Sequence, residues 1–273
     1  MAVKNNGVLR GVLTVKRRTF LTPHYIRVVL EGNDVPLFKD TTIGVNNKIL
    51  VPPRGVKEIH FPEYDEQKGE WIAPPEHLKP VVRTYTHRGI NLSENEMIID
   101  FAYHGDSGPA SAWAASAIEG DKLGVLMKQG KKPLISPADW YLLVGDITAI
   151  PVLGAILETL PETARARVII EIPTEEDRQE LYTKADVDIQ WVYNPFPGKD
   201  SELAAFVKKV SIPEDVSRFG YVAAEFSSVR EIRAYLRKDL GWTSGELYAY
   251  SYWKDGVAED QSVTARRKEK ESI

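Results

Sequence analysis

No cysteine occurs anywhere in this 273-residue chain. Disulfides, thiolate metal sites, cysteine-ligated iron–sulfur clusters and a cysteine nucleophile are therefore excluded. The five histidines are scattered and never fall four residues apart, so no protein-held metal is expected. Gly-x-Ser-x-Gly and His-Glu-x-x-His are both absent, which removes the common signatures of serine and zinc hydrolysis. No apolar run approaches the roughly 20 residues of a membrane-spanning helix. The opening Met1-Ala2-Val3-Lys4-Asn5-Asn6-Gly7 lacks the apolar core of a signal peptide, so the expectation is a soluble, cytoplasmic protein. A strong charge of one sign is missing too. The formal net charge is -4, and neither nucleic acid nor a membrane surface is expected as a partner. A monomer is expected.

What is present suits a globular chain: 43% of residues are hydrophobic and 27% charged, with length for one large or two ordinary domains. The first half reads as β. Val8–Arg17 alternates, Tyr25–Leu30 is a β-branched run, and Lys48–Val51 is stopped by Pro52-Pro53. Residues 52–79 are polar and broken by Pro, Gly and Trp, a long excursion with a strand at Lys57–Phe61 and a turn at Tyr64–Gly69. A strand around Arg83–Arg88, another in Glu96–His104 and a last one at Gly124–Met127 complete a closed antiparallel barrel. This first domain is placed at residues 1–130, with residues 131–138 as linker around Pro133 and Pro137.

From residue 139 to 273 strand and helix alternate. Strands are predicted at Trp140–Val144, Arg167–Ile172, Ile189–Tyr193, Tyr221–Ala224 and Leu247–Tyr252. Helices are predicted from Pro151 to Leu160, at Glu175–Glu180, at Ser201–Val210 and at Ser227–Leu240, the last capped by Ser227. The pattern predicts a doubly wound parallel sheet whose ligand sits at the carboxyl ends of the strands. Beyond Trp253 the chain trails into Arg266-Arg267-Lys268-Glu269-Lys270-Glu271, read as a solvated tail.

Two stretches carry chemistry. In Arg83-Thr84-Tyr85-Thr86-His87-Arg88, strand alternation puts Arg83, Tyr85 and His87 on one face and Thr84, Thr86 and Arg88 on the other. A stacking ring beside a guanidinium fork and a hydroxyl can hold a flat, phosphate-bearing ligand. The same hexamer also suits an exposed barrel strand with cross-strand pairs. Further on, Gly105 and Gly108-Pro109-Ala110-Ser111-Ala112-Trp113 read as a loop feeding a helix, whose free N–H groups are a natural seat for phosphate. Taken alone, the pattern favours a helix start that binds nothing, and the phosphate reading gains from its place some twenty residues after the Arg83 strand.

Taken in order, four stretches resemble the siderophore-interacting protein family, the flavin-dependent ferric-siderophore reductases within the ferredoxin–NADP reductase superfamily. They are Arg83-x-Tyr85-Thr86-x-Arg88; Asp100 to His104 with Gly105, Gly108-Pro109-Ala110-Ser111 and Trp113; Gly145-Asp146-x-Thr148-Ala149-x-Pro151; and Tyr252-Trp253-Lys254-x-Gly256 followed by Glu259-Asp260. Order and spacing agree with the family over residues 8–260. The resemblance implies a Greek-key β-barrel that binds FAD and a nicotinamide-type α/β domain. It places Arg83 on the flavin phosphates, Tyr85 against the isoalloxazine and Thr86 near its reactive nitrogen. His104, Gly105, Ala110 and Ser111 line the pyrophosphate and adenosine side, with Asp100 and Trp113 in the same motif. Gly145, Asp146, Thr148 and Ala149 form the first turn of the second domain, Glu225 ends a strand facing the flavin, and Trp253 belongs to the last motif.

The activity implied is transfer of electrons from NADH, NADPH or a ferredoxin through FAD to a ferric siderophore. Iron is then substrate, and Lys48, Lys128 and Lys254 are the expected steering cations for an anionic chelate. Another flavin reductase and a non-catalytic siderophore binder remain as alternatives. Gly145-Asp146-Ile147-Thr148 is poorer in glycine than the dinucleotide fingerprint, and Lys254 stands where the family often has arginine. After Ile172, Glu175, Glu176 and Asp177 disfavour a 2′-phosphate while Arg178 favours one, a balance that leans to NADH.

Overall fold

The computed structural model describes residues 7–105 and 108–271. The opening read for a leader, up to Asn6, and Asp106-Ser107 of the helix-feeding loop lie outside the described residues. The chain divides into two compact units, Met1–Lys132 and Pro133–Ile273.

In the first unit the strands are β1 (Val8–Thr22), β2 (Tyr25–Glu31), β3 (Asn46–Val51), β4 (Glu63–Asp65) and β5 (Glu70–Ile72). They continue as β6 (Val81–Thr86), β7 (Gly89–Asn91), β8 (Glu96–Ala102) and, after helix α1 (Pro109–Ser116), β9 (Lys122–Lys128). Seven of them form one antiparallel sheet in the order β6-β3-β9-β1-β2-β8-β7. Within it β9-β1-β2-β8 is a Greek key, because β9 returns to lie beside β1. The inward positions Leu13, Val15, Ile26, Val28, Leu30, Ile49, Met97, Ile99, Phe101, Leu123 and Val125 are buried and make the core. The predicted closed barrel is instead a curled half-barrel. No ladder among the described residues joins its end strands, and β6 meets β8 through side chains, with the Tyr85 and Phe101 rings 4.5 Å apart.

Lys57–Phe61 does not form the predicted strand, because β3 and β9 already have a partner on each side. The segment crosses the outside of the sheet instead. Ile59 and Phe61 settle over Gly124, where a Cβ would lie 2.7 Å from Ile59 Cγ2. Glu58 pairs with Lys122 at 2.7 Å, and β4 and β5 then make a separate hairpin.

The alternation read through Arg88 stops early. β6 ends at Thr86, and Thr86 and His87 are both buried. The His87 N–H donates to Val45 O at 2.8 Å, but neither ring nitrogen has a partner, and burial lowers the imidazole pKa from 6.5 to about 4. A depressed folded pKa means that the unfolded chain binds more protons between these two values, so stability falls as pH drops from about 6.5 to about 4. The expected loss is up to about 3 kcal/mol. Melting curves across that window are expected to fall more steeply for the parent protein than for His87→Leu. Parallel curves would show that folding does not hold the imidazole neutral across this window.

In the second unit the elements are β10 (Trp140–Asp146), α2 (Ile150–Thr159), β11 (Arg165–Ile172), β12 (Asp186–Tyr193) and α3 (Leu203–Lys208). Then come β13 (Arg218–Glu225), α4 (Phe226–Ala234), β14 (Leu247–Trp253) and α5 (Glu259–Glu271). All five strands are parallel, in the order β12-β11-β10-β13-β14, which is the doubly wound sheet expected. Buried runs such as Trp140 to Val144 suit strands covered on both faces.

Three local readings change. Glu175–Glu180 shrinks to a 3-10 turn at Glu175–Asp177, closed by a capping box between Thr174 and Asp177. The cap of α4 is Glu225 rather than Ser227, since the Ser227 N–H donates to Glu225 Oε2 at 2.5 Å. The terminal segment is not wholly solvated: in α5, Ser262 and Arg266 are buried, and Arg266 Nη1 donates to the carbonyls of Ser251 (3.2 Å) and Tyr252 (2.6 Å). β14 is the edge of the sheet, and a helix that donates to edge carbonyls satisfies groups that no neighbouring strand reaches. No described helix is long and apolar enough to cross a membrane.

Candidate functional site

In the first unit, β6, β8 and α1 converge where the half-barrel is left open. Tyr85 is half-buried on β6, Phe101 lies under it on β8, and Trp113 of α1 follows at 5.9 Å from Phe101. Arg83 sits two residues before Tyr85 on the same face, half-buried, with Nη1 donating to its neighbour's carbonyl, Val82 O, at 2.8 Å. Thr86 ends the strand, 5% exposed.

The approach to α1 is pinned by Ser111. Its hydroxyl accepts from the His104 N–H (3.2 Å) and donates to Gly105 O (3.0 Å). Gly105 takes φ +82°, open to glycine, and a Cβ there would meet nothing within 4 Å. Gly108 precedes the helix without a side-chain cap, Pro109 opens it, and Ala110 is buried behind it. Helix-start N–H groups for which Gly108 supplies no side-chain cap, beside an open glycine loop and in the same unit as a half-exposed tyrosine, fit a diphosphate joined to a planar ring.

Asp100 of the same motif is held by side chains of β2. It is 2% exposed on β8 and accepts from Tyr25 Oη (3.0 Å), Arg27 Nε (2.8 Å) and Arg27 Nη2 (2.7 Å), with Arg88 Nε at 3.9 Å. Its carboxylate is committed to the protein. Beside this region Lys48 of β3 donates to Thr84 Oγ1 at 2.5 Å, and Lys128 is exposed at the end of β9. Cross-strand register puts Arg10, Leu126, Lys48 and Thr84 in one row across four strands. Sequence reading missed Arg10, whose place in the Lys48 row shows only when β1, β9 and β3 are paired, and whose guanidinium lies over the Phe61 ring at 5.3 Å.

In the second unit, Gly145, Asp146, Thr148, Ala149, Glu225 and Trp253 come together at the carboxyl ends of β10, β13 and β14. Asp146 is the knot. It accepts from the Thr148 N–H (2.9 Å), Thr148 Oγ1 (2.5 Å), the Glu225 N–H (2.8 Å) and Trp253 Nε1 (2.8 Å). Burial raises its pKa, and those bonds oppose the rise. Glu171, its register partner on β11, is also buried; desolvation raises its pKa, and one carboxylate oxygen has no partner. Glu225 caps α4 and takes the Asp255 N–H at 3.3 Å. Lys254 lies over the Phe226 ring at 4.8 Å.

A curled antiparallel sheet with a helix start at its open side, followed by a doubly wound parallel sheet, is the two-domain fold of the ferredoxin–NADP reductase type. The fold is shared with a ferredoxin NADP+ reductase from Neisseria gonorrhoeae solved with bound FAD and NADP (TM-score 0.60, 13% identity, 89% of this chain and 99% of that one). Two family models match: Siderophore-interacting FAD-binding domain over residues 14–132 and Siderophore-interacting protein over residues 138–256. Ferric vibriobactin reductase ViuB of Vibrio cholerae is 32% identical over 250 residues, 91% of each chain. The crystal structure of the siderophore-interacting protein SipS from Aeromonas hydrophila superposes with a TM-score of 0.81 at 28% identity, covering 96% of this chain and 98% of that one. The chain belongs to the siderophore-interacting protein family.

Proposed function

We propose that the protein is a flavin-dependent ferric-siderophore reductase, acting in the cytoplasm as a monomer. The observation that carries the reading is the Tyr85–Ser111 cradle, which falls inside the stretch matched by the FAD-binding domain, in a chain similar to a ferric vibriobactin reductase along 91% of its length. FAD, when bound, supplies the change from two-electron to one-electron transfer. The chain's part is placement. Arg83 and the first N–H groups of α1 hold the phosphates, Tyr85 backs the ring, Thr86 offers a hydroxyl at the strand end, and Trp113 stiffens the support through Phe101. Fe(III) bound by hard oxygen ligands is held far more tightly than Fe(II), so reduction frees the metal without an acid or base at the iron. NADH, NADPH and a small ferredoxin are the donors to compare.

The test is anaerobic reduction of the FAD-loaded protein by each donor separately, followed by a ferric siderophore and an Fe(II) trap. Flavin that reoxidises as trapped Fe(II) appears supports the reading. Protein that holds no FAD, or reduced flavin that ignores ferric chelates while reducing quinone or ferredoxin, defeats it.

A ferric chelate bearing catecholates or carboxylates is anionic, and so is this chain, at formal charge -4. Approach then needs local positive charge, and Lys48, Lys128 and Lys254 are the residues proposed to supply it, with Arg10 extending the Lys48 row. The triple Lys→Ala variant is expected to lose about tenfold in kcat/KM for an anionic chelate at low salt, with the difference shrinking as salt is added. Equal kcat/KM at low salt would remove these lysines from the approach path.

A further inference from the structure

We infer that the ligand crevice of the parallel sheet is filled by the chain's own Trp253 and Asp146, so that a nicotinamide dinucleotide binds only by displacing the indole, and Trp253 sets donor specificity. The inference rests on the reductase reading for the identity of the ligand and on the second unit alone for its geometry. From β10 the chain winds through β11 and β12 to one side, then through β13 and β14 to the other. Open sheets of this order bind ligands outside the strand ends where the direction reverses, here at β10 and β13.

Four observations say that this place is occupied. The backbone donors that a pyrophosphate would use there, the N–H groups of Thr148 and Glu225, are both given to the Asp146 carboxylate, at 2.9 and 2.8 Å. The charge is wrong for a diphosphate, because Asp146, Glu171 and Glu225 are all buried at this edge. The glycine offers no approach: a Cβ on Gly145 would lie 2.5 Å from Ala149 Cβ and 2.8 Å from Ala223 O, so its missing side chain is used by packing. The indole spans the gap. Its Nε1–H donates to Asp146 Oδ2 at 2.8 Å at the end of β10, while Cη2 lies 2.9 Å from where a Cβ of Gly198 would be, in the loop after β12. The ring thus joins the end of β10 to the loop that follows β12. Gly198 has φ +87°, which favours glycine, and also abuts Asp255, so the loop is shaped to receive this segment.

A dinucleotide must therefore break the Trp253–Asp146 bond and expel the ring, whereas a ferredoxin delivering electrons to the flavin edge has no need of the crevice. The experiment measures equilibrium binding of NAD+ and NADP+, which cannot reduce the flavin, to the FAD-loaded protein. Trp253→Ala is expected to bind NAD+ about tenfold more tightly than the parent. Trp253→Phe keeps a ring and loses the bond to Asp146, and is expected to fall between the two. Melting curves report whether each variant is folded. If the alanine variant does not fold, the phenylalanine variant decides, and binding no tighter than the parent's overturns the inference. Unchanged or weaker NAD+ binding in two folded variants overturns it as well. FAD content, and ferric-chelate reduction by chemically reduced protein, read the reductase assignment separately, so the two ideas fail by different signs.

Discussion

Alanine at position 83 is expected to give a folded protein that loses its FAD on gel filtration. Arg83 reaches only half-burial on β6, and its Nη1 rests on the carbonyl of Val82, the residue before it. Little of the core depends on it. A guanidinium pairing with phosphate in a bidentate fork is another matter, because charge-assisted bonds of this kind are roughly twice as strong as neutral ones. Truncating one partner of such a pair costs about 2–5 kcal/mol, so the FAD dissociation constant is expected to rise about thirtyfold or more. Arg83→Lys keeps the charge and loses the fork, and is expected to lie between. Titration of apoprotein with FAD gives the constants directly. Parent-like affinity in Arg83→Ala would move the phosphates elsewhere.

The other large effect is expected at Asp100, and it concerns stability. Its buried carboxylate accepts from Tyr25 and from Nε and Nη2 of Arg27, with Arg88 more distant. Removing one member of a buried charge network strands the others, at a cost of about 3–5 kcal/mol. Asp100→Ala is expected to lower the melting temperature sharply. Asp100→Asn, which can still accept from one arginine and from Tyr25, is expected to lose less. FAD affinity among the molecules that do fold is expected to change little. A stable Asp100→Ala that fails to bind FAD would return this residue to the cofactor, where the motif first suggested it belongs.

How much of this was legible beforehand varied with the range of the interaction. Alternation in Tyr25–Leu30, the buried run at Trp140–Val144 and the Gly108-Pro109 helix start are local patterns, and each element formed near its predicted place. Lys57–Phe61 has strand composition too, but it lies against β3 and β9, and each of these already has a strand on both sides. Ser227 looks like a cap, yet Glu225 at the end of β13 reaches the same N–H group first. Arg266 sits in a run of charges that reads as surface, and only the edge carbonyls of β14 explain its burial. The motif residues of the two units did gather within their own units, but their partners could not be read. Asp100 and Asp146 both turned out to be tied by residues distant in sequence.

The amino-acid order alone determined the two-part architecture, the exclusion of thiol chemistry, and the kinship carried by four ordered motifs. These depend on side-chain period, composition and spacing, which are properties of the chain as a string. Tertiary structure decided which charges are spent inside the protein and which face a ligand. That depends on register across strands and on burial, and two carboxylates with identical chemistry differ only in what the fold brings within 3 Å of them.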